Sequence, residues 1–410
     1  MTRQGEQSPR VLLVNQAFYP DVVSTAQYLT DLAVDLVKRG CRVTVLAGRR
    51  GYAEPHPLYP RSEVYRGIRV IRVWRFQFGR RNRLTRVLDA LLLNLAFTVR
   101  MAFLPRFDRV VALTTPPMVA FSALLFSRFR GGRLIYWMMD LNPDQAIEAG
   151  WIRRGGSRAK FLEAVLRLVL KNSDGIVALD RFMKGRVAAK GAPEGRIEVI
   201  PLWPHSEDLR TIPHVDNPFR KKHRLEEKFV VMYAGNLSVC HPLDTLLGAA
   251  VLLRDDPGVV FVFIGGGERV RDVLRCREEH RLDNVVYLDY LPRPEIKYSL
   301  SAADLHAVVM GEAYPGIVHT CKIYGILEIG RPFVYVGPEK SHIGEILDEA
   351  GLGWRVELGD ARGVATVVEK ARNLGGEERE RIAAKSKDYV RKRFMRADLS
   401  TRLIDFILGD

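Results

Sequence analysis

A lysine near the start of a predicted helix is the first candidate for chemistry in this sequence. The stretch "GIVHTCKIYGILEIGRP", residues 316–332, is typical of a short loop and a helix that ends at Gly330, and it puts Lys322 in the first helical turn. A helix N-terminus carries about half a positive charge, so a cation there costs up to about 1 kcal/mol unless an anion lies beside it. A diphosphate is the anion we expect. Helix-start amides and a mobile cation could bind it together, Gly316 permits close approach of the backbone, and His319 could donate to the same oxygens. The alternative, an exposed lysine on a surface helix, conflicts with the apolar residues around the segment.

Two carboxylates in the first half are candidates for acid–base work. The stretch "YWMMDLNPDQ" puts Asp140 and Asp144 just past the end of a predicted buried strand. A carboxylate there could orient a sugar hydroxyl or accept a proton, whereas the alternative is an Asp that caps a turn before Pro143. We expect the functional role for Asp140. Both roles stay open for Asp144, which could belong to an acceptor or phosphate loop.

Two loops between a predicted strand and a predicted helix bear on which phosphate ligands could bind. The first, "FYPDVVSTAQ", lies where a dinucleotide-binding fold carries G-x-G-x-x-G, yet it contains no glycine, which argues against an NAD or FAD site. Ser24 and Thr25 are good N-cap residues there, and their neighbouring amides could hold an anion or simply begin the helix. The second, "FIGGGERV", would let a phosphate or ribose approach Gly266, although a plain turn needs the same glycines.

The hydrophobic pattern predicts the sheets that would hold these loops. Apolar runs bounded by turn residues alternate with segments of helical period from residue 10 onwards, which is typical of a parallel, doubly wound α/β sheet. A polar, charged stretch, residues 203–228, is predicted to be a linker, after which a second set of strands begins. We therefore predict an α/β chain of two Rossmann-like domains that face a cleft, 1–203 and 204–385. The last segment, 386–410, is predicted to be a helix that crosses back to the first domain.

Composition and charge narrow the possible functions. The chain has 410 residues, enough for two domains, and its four cysteines are scattered without metal-ligand spacing, so we expect no metal and a reducing compartment. No signal-peptide core follows the N-terminus, so the expected location is the cytoplasm. Residues 1–203 hold 33 Lys and Arg against 16 Asp and Glu, a net +17, whereas residues 204–410 hold 30 against 32, a net −2. Such a one-sided field favours an anionic membrane surface, nucleic acid or an anionic substrate.

One apolar segment is long enough to span a bilayer. It is "LTRVLDALLLNLAFTVRMAFL", residues 84–104, and Asp89, Asn94 and Arg100 interrupt it, so we do not expect it to cross the membrane. A buried helix is the first choice. An interfacial helix that dips its apolar face into lipid, helped by flanking arginines, is the alternative.

Several motifs in their order along the chain resemble family 4 of the glycosyltransferases, which have the GT-B fold. The motifs are "VLLVNQAFYPDVVSTAQYLTDLAVDLVKRGCRVTVLAG", "YWMMDLNPDQAIEAG", "VVMYAGNLSVCHPLDTLLGAA", "LDYLPRPEI", "SAADLHAVV" and "KIYGILEIGRP". The likeness is greatest to the branch that builds bacterial exopolysaccharide, capsule and O-antigen. It implies a retaining transferase that uses a nucleotide-diphosphate sugar, usually UDP-linked, as a co-substrate, with no other cofactor and no bound metal.

The resemblance also suggests how the second domain would bind the donor. The backbone of Tyr290 and Leu291 would lie near the base, Gly235 and Asn236 near the phosphates, and Lys322 would neutralise the leaving diphosphate, with Asp140 and His319 as further catalytic candidates.

Some positions depart from the family pattern. The two family carboxylates fall on Ile317, in the donor loop after Gly316, and on Gly325, while the usual Arg and Lys fall on Asn236 and His241. Ribose recognition is therefore unassigned, with Glu312 or the Gly266 turn as substitutes.

The first domain would bind the acceptor. A polyprenyl-diphosphate-linked saccharide at the inner leaflet would explain why the positive excess lies in that half. Two other enzymes remain possible, a nucleotide-sugar 2-epimerase and a glycosyltransferase that acts on a soluble natural product. A nucleic-acid-binding protein is not favoured, because no recognisable reader motif accompanies the basic residues.

Overall fold

The computed structural model describes residues 8–51, 58–74, 83–204 and 209–409. Contacts between residues divide the chain into two units: Met1–Pro201 with Ala397–Asp410, and Leu202–Arg396. The predicted domain limits stay predictions. The predicted limit after residue 385 falls inside a helix of the second unit, whose Ser386 hydroxyl donates to the Leu327 carbonyl at 2.8 Å.

Both units are α/β. The described strands are β1 (Arg10–Val14), β2 (Arg42–Gly48), β3 (Ser62–Tyr65), β4 (Ile68–Val73), β5 (Arg109–Ala112), β6 (Arg133–Trp137), β7 (Gly175–Ala178), β8 (Ile197–Val199), β9 (Phe229–Ala234), β10 (Val259–Ile264), β11 (Val285–Leu288), β12 (Leu305–Val309), β13 (Phe333–Val336) and β14 (Gly353–Val356). The described α-helices are α1 (Ser24–Lys38), α2 (Arg83–Ala102), α3 (Val119–Arg130), α4 (Asp144–Glu148), α5 (Ser157–Asn172), α6 (Arg181–Ala189), α7 (Pro218–Lys222), α8 (Asp244–Leu252), α9 (Val270–Glu279), α10 (Ile296–Ala302), α11 (Lys322–Ile329), α12 (His342–Ala350), α13 (Ala361–Arg372), α14 (Gly376–Arg393) and α15 (Arg396–Leu408).

The sheet of the first unit has the order β3-β4-β2-β1-β5-β6-β7-β8. All its neighbouring strands are parallel except β3, which pairs antiparallel with β4 through a turn at Arg66 and Gly67, both at positive φ. The expectation of a purely parallel sheet was therefore wrong at this edge. The hairpin escapes a search for apolar runs because β3 has only four residues, and they alternate between exposed and partly buried.

The helices of the first unit form two layers. Crossovers between parallel strands are right-handed. Helices whose connection moves the chain towards β8 therefore lie on one face of the sheet, and helices whose connection moves it towards β3 lie on the other. Helices α2, α3 and α5 therefore share one face, and α1 lies on the other. The returning helix α15 joins α1, since the Ser400 hydroxyl donates to Asp35 at 2.9 Å and Arg39 pairs with Asp405 at 2.5 Å.

The sheet of the second unit is parallel throughout. Its order is β11-β10-β9-β12-β13-β14, which is the 3-2-1-4-5-6 order of a Rossmann fold. Strand β10, "VVFVFI", is buried at all six positions, as expected for a strand covered by helices on both faces. The predicted α/β fold of two doubly wound units is confirmed.

Most of the predicted linker that the structure describes packs into the second unit. Phe219 and Leu225 belong to its hydrophobic core. The guanidinium of Arg220, only 2% exposed, donates to the Ala302 and Leu225 carbonyls, both at 2.6 Å, and pairs with Asp304 at 3.1 Å. This polar, charged segment is thus part of the folded second unit, because one arginine in it hydrogen-bonds several buried carbonyls.

Within the described residues, no helix combines the length and apolar composition that a transmembrane span requires. The prediction for residues 84–104 is confirmed in this respect. One face of α2 is buried and the other is exposed, so the prediction of a buried helix is correct for one face only.

The buried hydrogen bonds of Arg220 lead to a prediction about stability. Arg220→Met should lower the free energy of unfolding of the second unit by about 3–5 kcal/mol, because it leaves Asp304 and the carbonyls buried without their partner. Urea unfolding measures the loss. Lys222→Met is the matched control on the same helix, since Lys222 is 62% exposed and should change stability by less than about 0.5 kcal/mol. Equal stability of the two variants would contradict the assignment.

Candidate functional site

The strand order of the second unit reverses between β9 and β12, and ligands of doubly wound folds bind outside the carboxyl ends of the strands at such a point. The loop after β9 begins with Gly235 and Asn236, and the loop after β12 leads to Lys322 at the start of α11. The sequence-predicted donor residues of these two loops therefore lie at one end of one sheet.

Backbone hydrogen bonds hold the loop after β9 against the glycine turn after β10. The Leu237 amide donates to the Gly266 carbonyl at 2.8 Å, and the Arg269 amide donates to the Leu237 carbonyl at 2.9 Å. Gly265 and Gly267 have φ values of 127° and 138°, and a side chain at either would collide with the loop after β9. These two glycines are thus explained by loop packing alone, whereas Gly266 lies beside the ring of Tyr290.

The side chain of Lys322 points from α11 towards Gly235. A Cβ atom at Gly235, which has a φ of 133°, would lie 3.2 Å from Lys322 Cε and 3.3 Å from Nζ, so glycine leaves the room this lysine occupies. The Nζ atom is buried, lies 3.6 Å from the ring centroid of Tyr233 and forms no hydrogen bond with the residues that the structure describes. Burial lowers the pKa of Lys322 to about 7, although the neighbouring Cys321 thiol opposes the shift.

His241, at one of the two family cation positions, does not replace the missing cation. The Nδ1 atom of His241 lies 2.6 Å from the Val309 carbonyl, and burial, followed by the charge of Lys322, lowers the pKa of His241 to about 3. This imidazole is therefore neutral at physiological pH. Asn236, at the other family cation position, is exposed, and its backbone carbonyl accepts a hydrogen bond from the Tyr233 hydroxyl at 2.9 Å.

His319 is engaged within the second unit. Its Nε2 atom lies 2.7 Å from the Tyr324 hydroxyl, and its ring stacks on His342 with centroids 4.0 Å apart. The His342 Nε2 atom in turn accepts from the Thr320 amide at 3.2 Å. These hydrogen bonds and the stacked histidine rings hold the loop that precedes Lys322 in place.

The other predicted donor residues differ in accessibility. Tyr290 is half exposed and Leu291 is partly buried against the core. Gly316 has a φ of 71°, in the region that favours glycine, which agrees with its predicted role in the turn. Ile317 is fully buried and its amide donates to the Tyr314 carbonyl at 2.9 Å, so its side chain is part of the core.

The predicted acceptor residues lie in the first unit. Asp140 follows β6, is partly buried, and its charge adds to burial in raising the pKa of Tyr136. Asp144 begins α4 and pairs with the Lys190 ammonium at 2.9 Å. The prediction that Ser24 and Thr25 are N-caps was wrong: the helix already includes both residues, and its cap is Val23, whose apolar side chain can make no capping bond. Asp21 accepts from the Val23 amide at 3.4 Å.

Two residues at the site escaped the motif search. Tyr233 lies inside a strand and reads as core, yet its ring faces the Lys322 ammonium. Arg269 follows the glycine turn, and its guanidinium pairs with Asp272 at 3.1 Å and with Asp244 at 3.3 Å. The "GGGER" sequence was the available signal for Arg269, since the arginine directly follows the glycine turn.

The fold defines a class of protein. The two Rossmann-like units have the GT-B fold of glycosyltransferases, as the similar solved structures show. Among solved structures, the sucrose-phosphate synthase of Thermosynechococcus elongatus superposes with a TM-score of 0.76 at 14% identity over 96% of this chain and 97% of its own. HepE of Anabaena, solved with UDP-glucose, superposes with a TM-score of 0.69 at 15% identity over 98% of this chain and 100% of its own.

Sequence comparisons identify the family. Residues 25–203 match the model of the glycosyl transferase 4-like domain. The probable glycosyltransferase WbjE of Pseudomonas aeruginosa is 23% identical over 77% of this chain and 81% of its own. The putative colanic acid biosynthesis glycosyl transferase WcaI of Escherichia coli is 22% identical over 59% of this chain and 60% of its own. The predicted resemblance to family 4 is confirmed: residues 25–203 match its domain model, and the sequence relatives are glycosyltransferases of the same kind.

The buried ammonium yields a pH prediction. Because the pKa of Lys322 is about 7 when folded and near its ordinary value when unfolded, the stability penalty is complete below pH 7 and is relieved as pH rises. Lys322→Met should therefore be more stable than the parent at pH 6.5. The gap should narrow by up to about 1.4 kcal/mol per pH unit above pH 7.

Urea unfolding between pH 6 and pH 9 measures that gap. Lys340→Met is the control, since Lys340 is exposed in the same unit and its substitution should leave the pH profile parallel to that of the parent. A pH-independent gap for Lys322→Met would rule out the buried charge.

Proposed function

We propose that this glycosyltransferase is a retaining enzyme that transfers a hexosyl or acetamidohexosyl group from a UDP-sugar to a polyprenyl-diphosphate-linked saccharide. The proposed setting is cell-surface polysaccharide synthesis at the inner face of the cytoplasmic membrane. The single observation that carries the donor half is the buried Lys322 ammonium, aimed at Gly235 at the switch point. The similarity to the glycosyltransferases WbjE and WcaI and the UDP-glucose bound by HepE support the choice of reaction.

The proposed chemistry uses the lysine where charge develops. The bond from the anomeric carbon to the β-phosphate oxygen breaks, its electron pair stays on that oxygen, and the acceptor oxygen bonds to the same face of the carbon. The acceptor proton is transferred to the leaving phosphate. A cation aimed at this phosphate stabilises the transition state more than the ground state. The α11 amides add to this field, so the scheme needs no metal.

The donor roles follow the second unit's loops. Gly235 and Asn236 would contact the diphosphate, the Tyr290 and Leu291 backbone would contact the base, and Gly266 would lie near the ribose. His319 is assigned a positioning role, because its partner Tyr324 belongs to the first turn of α11.

The acceptor roles are assigned to the first unit. Asp140 lies past the carboxyl end of β6, where a partly buried carboxylate can accept a hydrogen bond from an acceptor hydroxyl. Asp144 is paired with Lys190, and we assign that pair to shaping the same loop. Asp140→Asn should therefore reduce turnover by about 10²-fold, because a neutral amide accepts a hydrogen bond from the acceptor hydroxyl less strongly than a carboxylate does.

Ligand binding by the second unit should consume a proton. Above pH 7 the free Lys322 is largely neutral, and an adjacent diphosphate raises its pKa towards the ordinary value, so binding at pH 8 draws a proton from the buffer. Calorimetry with UDP in two buffers of different ionisation enthalpy measures this uptake. The affinity should fall with rising pH above 7.

Lys322→Gln should show neither effect and should lose about 10²–10³-fold in turnover, the usual cost of removing one transition-state donor. Lys340→Gln is the exposed control and should behave as the parent. Turnover of Lys322→Gln within a few-fold of the parent, or unchanged proton uptake, would remove Lys322 from the proposal.

Two other enzymatic roles remain to be separated from this one. A nucleotide-sugar 2-epimerase has the same architecture but needs no acceptor, so it would convert the donor when incubated alone. We expect donor alone to stay unconverted and a lipid extract to yield glycosylated lipid, read by mass spectrometry over a panel of UDP- and GDP-sugars. Transfer to a soluble natural product instead of lipid would replace the acceptor assignment.

A further inference from the structure

The helix α2 has two faces of opposite accessibility. Asp89, Leu93, Phe97 and Met101 are nearly inaccessible, at 0–6% exposure. On the other face, Leu88, Leu91, Leu95 and Val99, followed by Phe103, are 44–77% exposed. These residues recur every three or four positions and form a row about 22 Å long, at a rise of about 1.5 Å per residue. Single exposed apolar residues need no explanation, but a continuous row of five does.

Neighbouring helices of the same layer also carry exposed apolar side chains. The Thr98 and Ser122 hydroxyls bond at 2.7 Å between α2 and α3, and the Arg130 guanidinium of α3 donates to the Ala102 carbonyl of α2 at 2.7 Å. Arg128 of α3 donates to Asn172 of α5 at 2.6 Å. Three more large apolar side chains are exposed on this layer: Phe129 at 84%, Phe161 at 65% and Leu168 at 48%. We call these eight residues and their layer the apolar face.

Basic residues surround the apolar face. Over residues 88–102, 119–130 and 157–172, the described helices carry Arg100, Arg128, Arg130, Arg158, Lys160, Arg167 and Lys171. The only acids in these ranges are Asp89, which is buried, and Glu163. Long basic side chains can extend to lipid headgroups while apolar side chains beside them enter the acyl boundary.

We propose that the apolar face is the membrane-docking surface of the protein, on which α2, α3 and α5 lie flat in the interface of an anionic bilayer. The choice of a bilayer rests on the proposed function, because a lipid-linked acceptor must be reached at its surface. The chemistry favours it independently. A second copy would meet the same excess of basic residues and be repelled, and a nucleic-acid backbone would leave the row from Leu88 to Phe103 without an apolar partner.

A bilayer as the partner of this face has a consequence for the salt dependence of binding, because apolar and electrostatic interactions would both contribute. Apolar insertion resists salt, whereas attraction of basic residues to anionic lipid is screened by it. The face therefore predicts binding with two components: affinity for vesicles should fall with added salt and reach a plateau above zero. A purely electrostatic surface would release all the protein at high salt.

The test is sedimentation of the full chain with vesicles of phosphatidylethanolamine containing 30% phosphatidylglycerol, and with phosphatidylcholine alone, from 0.05 to 0.5 M NaCl. We expect strong binding to the first and at least ten-fold weaker binding to the second. The triple variant Leu91→Ser, Leu95→Ser, Val99→Ser should lose at least ten-fold in partitioning and the high-salt plateau. The triple variant Arg128→Gln, Arg167→Gln, Lys171→Gln should lose most of the salt dependence and keep the plateau.

Val64→Ser is the matched control, since Val64 is 76% exposed on β3 of the same unit and lies off the apolar face. It should bind vesicles as the parent does. Equal urea midpoints show that each variant folds, and calorimetry with UDP, which reports on the second unit, should be unchanged in all of them. Loss of UDP binding in the parent would therefore sink the proposed function without touching this inference.

Three results would overturn the docking surface. One is parental vesicle binding by the serine variant. Another is release of all the parent protein at 0.5 M NaCl. The third is no vesicle binding at low salt together with a concentration-dependent dimer in analytical ultracentrifugation that the serine variant abolishes, because the face would then join copies of the chain.

Discussion

A buried ammonium group without a counter-ion among the described residues is the constraint around which the switch point of the second unit is arranged. The Lys322 Nζ atom faces the ring of Tyr233 and the backbone of Gly235, and the neighbouring His241 is kept neutral by burial. These groups remove water from the ammonium and supply no negative charge in its place, so the free protein carries a desolvation cost. In the proposed reaction, a diphosphate would relieve that cost, and more of it as charge accumulates on the leaving oxygen. Under that proposal, stability of the free protein and stabilisation of the transition state oppose each other at one residue.

The remainder of the switch point is made largely of backbone. Positive φ angles at Gly235, Gly265 and Gly267 let the loops after β9 and β10 lie against each other, with direct amide-to-carbonyl bonds. Positions where related enzymes carry carboxylates hold Ile317, which is core, and Gly325, which packs beside Leu300. Few side chains are available to orient a ligand, so the site depends on the rigidity of its loops. The buried cluster of His319, Tyr324 and His342 supplies such rigidity next to the start of α11.

Sequence patterns predicted the sheets well where strands such as β10, β12 and β13 are buried on both faces and read as continuous apolar runs. The β3–β4 hairpin was missed because an exposed edge strand has no such run. At the site, helix chemistry located Lys322 and Gly330, but the burial of Nζ depends on Tyr233, which is distant in sequence. Capping was predicted for Ser24 from residue type, whereas Asp21 and Val23 decide where α1 begins. On α2, the sequence showed an apolar helix, and only its neighbours α3 and α5 reveal which half stays exposed.

The return of α15 to the first unit has a consequence for the order of events during synthesis. The Phe406 ring lies against Gly175 of β7, and Arg109 of β5 donates to the Ile407 and Leu408 carbonyls that end the helix. These contacts come from residues translated after the whole of the second unit. The first sheet therefore leaves the ribosome with one face incompletely covered and Arg109 without those acceptors. The second unit is one continuous segment, Leu202–Arg396, and needs no later residue to complete its sheet, so it can finish folding first and the half made earlier is the half completed last.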